Sequence, residues 1–245
     1  MLKKVDDLVK TYRLRYNLEA LERVREAIGE SAYSRLRELI LFRLEGRDFE
    51  RTPTDVKVAV AFSAGSDSTA TLKILRWTGF EVVPIMAKLP QMDGRTLQKV
   101  RSEKALLVEV PGYEETMREL IEKGAPICGR CHSMVMEAVE RKARELGVRI
   151  LATGDMLSSG LISIYEKDGL VILNFPAFLS LDKGEIIEVI GGGYKLSFGC
   201  PLLWELFRRA PSTKRLALQR ILRETRARAL SPEMAVELMR DVLLR

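Results

Sequence analysis

A loop rich in small and hydroxyl-bearing residues follows the first apolar run of the chain. It reads Ser63-Ala64-Gly65-Ser66-Asp67-Ser68 and lies between the apolar run 56–62 and a helical pattern over 69–77. Small residues let the backbone approach an anion, hydroxyls add hydrogen-bond donors, and the next helix directs its first N–H groups at the loop. Asp67 can hold the Mg²⁺ that accompanies a phosphate. The plainer alternative is a serine-rich turn that caps a helix, and the pattern is not a Walker A motif.

The three cysteines are the second feature with chemical potential. Cys128 and Cys131 form a C-x-x-C pair, and Cys200 follows 69 residues later. Two thiolates at this spacing can bind one metal centre, and a third can join them from a loop. The alternatives are a structural zinc site, a redox dithiol or buried thiols. Because His132 follows the pair, the c-type haem motif also fits, but the N-terminus turns charged where an export signal would turn apolar.

The elements that must position these residues alternate between strands and helices. This alternation predicts an α/β fold with a doubly wound parallel sheet, in which ligands bind beyond the carboxyl ends of the strands. The predicted strands are 56–62, 81–87, 105–110, 148–152, 170–174 and 185–190. The predicted helices around the sheet are 69–77, 95–104, 113–123 and 133–146.

Helical regions are expected on either side of this sheet. Residues 1–52 are predicted to form two helices, which begin after Asn17 and Ser31 and end at Gly29 and Gly46. From Leu202 onwards the pattern is again helical, with Ser212 as a candidate cap. The sequence therefore divides into an N-terminal helical region (1–52), a central nucleotide-binding domain (53–200) and a C-terminal helical region (201–245).

The positive charge is concentrated at the end of the chain. The 245 residues carry a net charge of +6, to which residues 1–52 contribute +2, residues 53–205 contribute −2 and residues 206–245 contribute +6. Clustered cations suit a nucleic-acid backbone, although charge runs are usually solvated helix faces. The candidate RNA contacts are Arg208, Arg209, Lys214, Arg215, Arg220, Arg223 and Arg226. Arg220 and Arg223 are expected opposite the apolar face that contains Leu218, Ile221 and Leu222.

The overall composition excludes several classes of protein. With 47% hydrophobic and 30% charged residues, the chain is neither disordered nor fibrous. No apolar run reaches the length of a membrane span, so we expect a cytoplasmic protein without membrane contact. Asn and Gln are scarce while charged residues are abundant, as in proteins of thermophiles.

The loop 63–68 resembles S-G-G-x-D-S, the pyrophosphate-binding loop of the PP-loop ATP-pyrophosphatase superfamily. Ala64 replaces the first glycine, a mild change if the backbone there keeps a negative φ. Together with the three cysteines, the loop makes residues 56 to about 200 similar to the tRNA-thiolating branch, the 2-thiocytidine and 2-thiouridine synthetases. The resemblance implies that ATP and Mg²⁺ bind at the loop and that backbone beside Phe62 and Met86 holds the adenine.

The same resemblance implies a reaction. A [4Fe-4S] cluster on Cys128, Cys131 and Cys200 would carry sulfide on its open iron, and the tRNA base carbonyl would be adenylated before sulfur displaces AMP. The sulfur donor would be sulfide or a sulfur-carrier protein, and the oligomeric state is left open, a homodimer being one option. The alternatives are a PP-loop ligase or synthetase of another substrate with a structural zinc, and a non-catalytic RNA-binding subunit.

The sequence departs from the family pattern at the end of the fourth strand. The family has an A-T-G-H-N-x-x-D type of segment, which Ala152, Thr153 and Gly154 match. Asp155 stands at the histidine position, and residues 158 and 159, at the acidic positions, are serines. Asp155 is therefore a candidate base or Mg²⁺ ligand, the alternative being a helix cap. The lysine that some members carry in the loop is replaced by Ser66.

Overall fold

The structure is a computed structural model that describes residues 2–156, 163–194 and 196–245. Its described residues form a six-stranded sheet in the order β3-β2-β1-β4-β6-β5. All neighbouring strands are parallel except β5 and β6, which are antiparallel. The strands are β1 (Lys57–Ala61), β2 (Glu81–Lys88), β3 (Leu106–Glu109), β4 (Ile150–Thr153), β5 (Ile164–Lys167) and β6 (Leu170–Asn174).

The fold is thus α/β and Rossmann-like, as predicted, with one correction to the expected parallel sheet. Strand β5 was not predicted, because only Ile164 of its four residues is buried and the segment lacks a strong apolar pattern. It returns antiparallel to β6 through a tight turn in which Asp168 and Gly169 both have positive φ.

The central strand is buried on both faces. Val58 and Val60 belong to the largest hydrophobic cluster, whereas Ala59 faces a second cluster on the opposite side of the sheet. This burial explains why β1 is a nearly continuous apolar run rather than an alternating one. Helices cover both sides of the sheet.

The helices in the described ranges run from the first residues to the last. They are α1 (Leu8–Arg23), α2 (Arg25–Ile28), α3 (Glu30–Glu45), α4 (Ser66–Trp77), α5 (Gly94–Glu103), α6 (Tyr113–Glu122), α7 (Cys128–Glu145), α8 (Phe175–Phe178), α9 (Lys183–Ile190), α10 (Pro201–Arg209), α11 (Lys214–Arg226) and α12 (Pro232–Leu244). None of them combines the length and apolar composition that a membrane crossing requires.

Two predicted caps in the N-terminal region are wrong. Helix α1 begins earlier than predicted, because the Asp7 side chain accepts a hydrogen bond from the backbone of its first turn. Asn17 is therefore inside the helix, where it is buried and donates to the carbonyl of Phe178 at 2.8 Å. Ser31 lies within α3, whose cap is Gly29, while the predicted helix end at Gly46 is confirmed by its left-handed backbone.

Three predictions in the second half of the chain also need correction. Residues 185–190, expected as a strand, lie in α9, because Asp182 and Glu185 form a capping box that starts a helix. Ser212 lies in a short 3-10 turn rather than at a cap, and α11 begins at Lys214. Helix α7 begins at Cys128, five residues before the predicted start, so the C-x-x-C pair occupies its first turn.

The strand order creates a crevice at the carboxyl edge of the sheet. From β1 the chain proceeds to β2 on one side, while β4 pairs with β1 on the other side and leads on to β6. Loops that leave β1 and β4 diverge at this switch point, which is where open α/β sheets bind their ligands. Loop 63–68 and the segment that starts at Gly154 border this crevice.

Candidate functional site

Loop 63–68 is closed by its own hydroxyl groups. The Ser63 backbone N–H donates to Ser68 Oγ at 3.2 Å, and the two serine hydroxyls lie 3.1 Å apart. Ser68 Oγ also lies 3.4 Å from the Gly65 carbonyl oxygen. Gly65 is the cap residue of α4, and no side chain caps that helix. The first N–H groups of α4 are thus left to an external acceptor, as an anion site requires.

Ala64 adopts a backbone conformation that favours glycine. Its φ is +58°. The replacement of glycine by alanine was expected to be mild if φ is negative here, and this condition is not met. A left-handed backbone costs a non-glycine residue about 1–2 kcal/mol. The Ala64 side chain packs in a cluster with Phe62 and Met86, and this contact offsets part of the strain. The loop thus keeps the left-handed turn although the glycine is replaced.

Two lysines that the sequence analysis did not assign reach this loop. Lys183 Nζ lies 2.5 Å from Asp67 Oδ1 and 3.1 Å from Ser66 Oγ, and its side chain is only 12% exposed. Lys99 donates to the Ala64 carbonyl at 2.8 Å. Lys183 places an ammonium group beside Ser66, which occupies the position of the missing family lysine. The capping box that Asp182 and Glu185 form was the sequence signal that could have predicted a helix beginning at Lys183.

Gly154 packs directly against the first turn of α4. A Cβ atom at Gly154 would lie 2.9 Å from the Ser68 backbone nitrogen and 3.3 Å from Asp67 Cβ. Only glycine allows this approach, which joins the end of β4 to the phosphate loop. The structure therefore brings Gly154 together with loop 63–68.

Asp155 follows at the carboxyl end of β4. Its carboxylate accepts a hydrogen bond from Thr153 Oγ1 at 3.0 Å, and its backbone N–H donates to the same oxygen at 3.2 Å. The serines at 158 and 159, which replace the family carboxylates, lie outside the described residues.

The proposed adenine side of the site lies between β1 and β2. Phe62 N–H donates to the Ile85 carbonyl at 2.8 Å, so the ends of the two strands are joined. Phe62 and Met86 are 3% and 5% exposed and share one cluster with Ala64. The structure thus places these residues beside the loop.

The three thiols lie at a second part of the same edge. Cys128 is exposed at the start of α7, Cys131 is half-buried one turn later, and Cys200 is the cap residue of α10. Desolvation raises the pKa of Cys128, and the charge of Cys200 raises it further. Burial also raises the pKa of Cys131, to which Cys200 contributes in the same direction. The charge of Cys200 thus acts on both other thiols, and Cys131 and Cys200 pack against the same hydrophobic cluster.

The three cysteine thiols fit a metal centre by the chemistry of their donor atoms. Three clustered sulfur donors suit zinc or an iron–sulfur cluster. Within the described ranges, however, no three His, Cys, Asp or Glu side chains are arranged as ligands to one ion. Exposed His132 follows Cys131 directly.

Arg220 has a second role beside the exposed position that the sequence predicted for it. Its side chain is 58% exposed, and its Nε donates to Glu224 Oε1 at 2.7 Å. It also lies close enough to Cys128 and Asp155 for both to influence its charge. Although desolvation lowers the pKa of Arg220, Glu224, Cys128 and Asp155 together raise it above its ordinary value. The charges of Cys128 and Asp155 thus act on a residue of the basic surface.

The other basic residues of the C-terminal region divide into two groups. Arg209 pairs with Glu205 on α10, and Lys214 donates to the Leu243 carbonyl at 3.2 Å. Within the described contacts, four of the exposed arginines predicted to contact RNA have no partner: Arg208, Arg215, Arg223 and Arg226. Leu222, expected on the apolar face, is 57% exposed beside them.

Comparison with known proteins places the chain among relatives of two kinds. It is 30% identical to the uncharacterized protein MJ1638 of Methanocaldococcus jannaschii over 243 residues, which cover 94% of this chain and 92% of that protein. It is 27% identical to the uncharacterized protein MJ1599 of the same organism over 143 residues, covering 53% of this chain and 50% of that protein.

The second kind of relative is an enzyme of known activity. The chain is 30% identical to the tRNA-specific 2-thiouridylase MnmA of Bradyrhizobium diazoefficiens over 142 residues, 47% of this chain and 36% of the enzyme. The chain thus spans about a third of that enzyme. No family model matches the chain. The partial match supports the resemblance to PP-loop proteins at the level of the superfamily.

Proposed function

We propose a function for this chain from the premise that it belongs to the same family as the uncharacterized protein MJ1638 of Methanocaldococcus jannaschii. The proposed function is that of an ATP-dependent tRNA sulfurtransferase of the PP-loop superfamily. In this proposal residues 53–200 form a doubly wound catalytic domain, and the helical regions 1–52 and 201–245 complete it. The partial similarity to tRNA thiouridylases supports the choice of substrate and reaction.

One observation carries the proposal. Gly154 packs on loop 63–68, where no side chain caps the first N–H groups of α4, and Asp155 follows it. In the proposal the thiols border the same cleft, which the influence of Cys128 and Asp155 on the pKa of Arg220 supports. A reaction that activates a base with ATP and then transfers sulfur needs both parts within reach of the same atom.

The proposed ATP site consists of residues that act through backbone and charge. The contacts are Phe62, Ser63, Ala64, Gly65, Ser66, Asp67, Ser68, Met86 and Gly154. The free N–H groups of α4 would bind the departing pyrophosphate, so negative charge is stabilised where it develops. Asp67 would hold Mg²⁺, for which its carboxylate oxygens are suitable ligands.

The Lys183–Asp67 ion pair fits this role. In the absence of nucleotide, each charge neutralises the other at 2.5 Å. With Mg²⁺ and ATP bound, Asp67 would hold the metal ion and Lys183 would pair with a phosphate oxygen. Neither charge is then left unpaired in a half-buried site, which would be costly. We therefore assign Lys183 to the ATP site.

The proposed reaction has two steps. The tRNA base carbonyl oxygen attacks the α-phosphate of ATP, which releases pyrophosphate and leaves the base adenylated. A sulfur nucleophile then adds to the carbon of that carbonyl group, and AMP departs with the original carbonyl oxygen. Asp155 is the candidate base, because it lies in the cleft at the end of β4. Cys128, Cys131 and Cys200 would hold a [4Fe-4S] cluster, whose open iron can carry sulfide, or, as the alternative, a structural zinc.

The products of ATP cleavage test the proposal. The chain, purified without oxygen, is incubated with Mg²⁺-ATP and tRNA, and nucleotides are separated. We expect AMP and pyrophosphate that depend on tRNA, and at least a tenfold loss in the variants Asp67→Asn and Lys183→Gln. Lys104→Gln serves as the control, because Lys104 is the C-terminal cap residue of α5 and its side chain has no partner among the described contacts. ADP and phosphate as products would contradict the assignment.

A further inference from the structure

One of the three thiols has a fixed hydrogen-bonding partner. Tyr113 Oη lies 3.1 Å from Cys131 Sγ, and Gln91 Nε2 donates to the same hydroxyl oxygen at 3.1 Å. Tyr113 is only 3% exposed. In the described contacts, neither Cys128 nor Cys200 has a hydroxyl partner of this kind. The set of three cysteine thiols is therefore asymmetric, since Cys131 is held in place by a hydroxyl partner.

The direction of these hydrogen bonds follows from the donors. Since the Gln91 amide already donates to the tyrosine oxygen, the tyrosine hydrogen remains available to the sulfur. A thiolate bound to a metal has no proton, so Tyr113 must then be the donor.

The supporting residues come from separate elements. Gln91 lies in the loop after β2, and Tyr113 is the first residue of α6, which follows β3. Tyr113 packs in the hydrophobic cluster that also contains Leu206 and Ile221 of the C-terminal helices. Three elements thus fix one hydroxyl group against the first turn of α7. Outer partners of this kind orient metal ligands, and their loss typically weakens metal binding 10- to 100-fold.

We infer that Tyr113, oriented by Gln91, is a positioning residue that donates a hydrogen bond to the Cys131 sulfur of a thiolate-bound metal centre. The inference rests on the metal centre in the proposed function, but not on the ATP or tRNA chemistry. In that centre, the hydrogen bond would fix the position of the Cys131 sulfur. It would also influence the reduction potential of an iron–sulfur cluster, because hydrogen bonds to sulfur are among its determinants.

Cobalt(II) is a suitable probe because it takes the zinc geometry and absorbs light when thiolates bind it. The full chain, purified without oxygen and without metal, is titrated with Co²⁺, and affinity is measured by competition with a chelator. We expect Tyr113→Phe to bind Co²⁺ 10- to 100-fold more weakly and to shift the thiolate absorption band. Tyr33→Phe is the matched control, because it also removes one hydroxyl hydrogen bond, to Glu22 at 2.5 Å, on a separate part of the chain.

The outcomes separate the inference from the proposed function. If the wild-type chain and Tyr113→Phe have the same affinity and the same band, the inference is wrong while the metal centre stands. If the wild-type chain shows no thiolate band, the metal centre and the inference both fail. If Tyr113→Phe does not fold, Gln91→Met is measured instead. A Co²⁺ affinity of Gln91→Met equal to that of the wild type would then overturn the proposed role of the Gln91–Tyr113 hydrogen bond. Product formation from ATP is measured separately and does not affect these results.

Discussion

Adding one methyl group at Gly154 should disturb the phosphate loop without removing any chemical group. The Cβ atom of Gly154→Ala would lie 2.9 Å from the Ser68 backbone nitrogen, whereas ordinary contacts begin at about 3.4 Å. The neighbouring atoms belong to the backbone of α4 and cannot rotate away. The end of β4 and the start of α4 must therefore separate by about 0.5 Å.

The cost of this separation sets the expected magnitude. Overpacking of this kind costs about 1–3 kcal/mol. For a chain of this size, that loss lowers the midpoint of thermal unfolding by about 2–12 °C. If the displacement falls on the loop, ATP affinity falls by about 5- to 140-fold, since 1.4 kcal/mol corresponds to a factor of ten.

The assay is a calorimetric titration of Mg²⁺-ATP into the wild type and the variant, with thermal unfolding measured alongside. The control is Gly94→Ala at the start of α5, where an added methyl group meets nothing within 4 Å. We expect the control to bind ATP as the wild type does. If Gly154→Ala has wild-type affinity and stability, the close packing of β4 on the loop does not hold the site, and the reasoning is refuted.

Two further predictions concern charged side chains. Charge reversal at Arg223 or Arg226 should weaken tRNA binding and reduce the slope of log Kd against log salt concentration by about one for each phosphate that the variant no longer binds. The control variant Arg141→Glu on α7 should change neither quantity. An unchanged slope in the Arg223 and Arg226 variants would mean that this helix face is merely solvated. Asp182→Asn keeps the cap of α9 but loses the ion pair with Lys10 at 2.6 Å. Although burial raises the pKa of Asp182, hydrogen bonds from Lys10 and from the helix backbone hold it below its ordinary value of 3.8, so the pair stabilises the fold above that pH and is lost on acidification. The free energy of unfolding should fall more steeply below about pH 4 in the wild type than in Asp182→Asn, and equal slopes in acid denaturation would contradict this.

The sequence was sufficient to predict the elements whose local residue pattern agrees with their burial in the fold. The apolar run of β1 and the hydroxyl-rich turn after it predicted the strand, the loop and the start of α4 within a few residues. The α/β class followed from the same alternation. The limits of the helices were less certain, because Asn17 looks like a cap but serves as a buried hydrogen-bond donor to the backbone near α8.

The rest of the site depends on contacts between distant parts of the chain. Lys183 reaches Asp67 across 116 residues, and no local pattern encodes that pairing. Arg220 counted as one cation among many in a basic segment until the packing of α11 placed it near Cys128 and Asp155. The φ of Ala64 is set by the loop as a whole, so its strain could not be derived from residue type.

The nucleosides of treated tRNA test the central claim most directly. Unmodified tRNA is incubated without oxygen with the chain, Mg²⁺-ATP and sulfide, then digested and analysed by mass spectrometry. The proposed function predicts a thionucleoside that forms only with ATP, accompanied by AMP, and that is absent with Asp67→Asn. AMP release without any thionucleoside, from a chain with its metal centre loaded, would contradict sulfur transfer to tRNA.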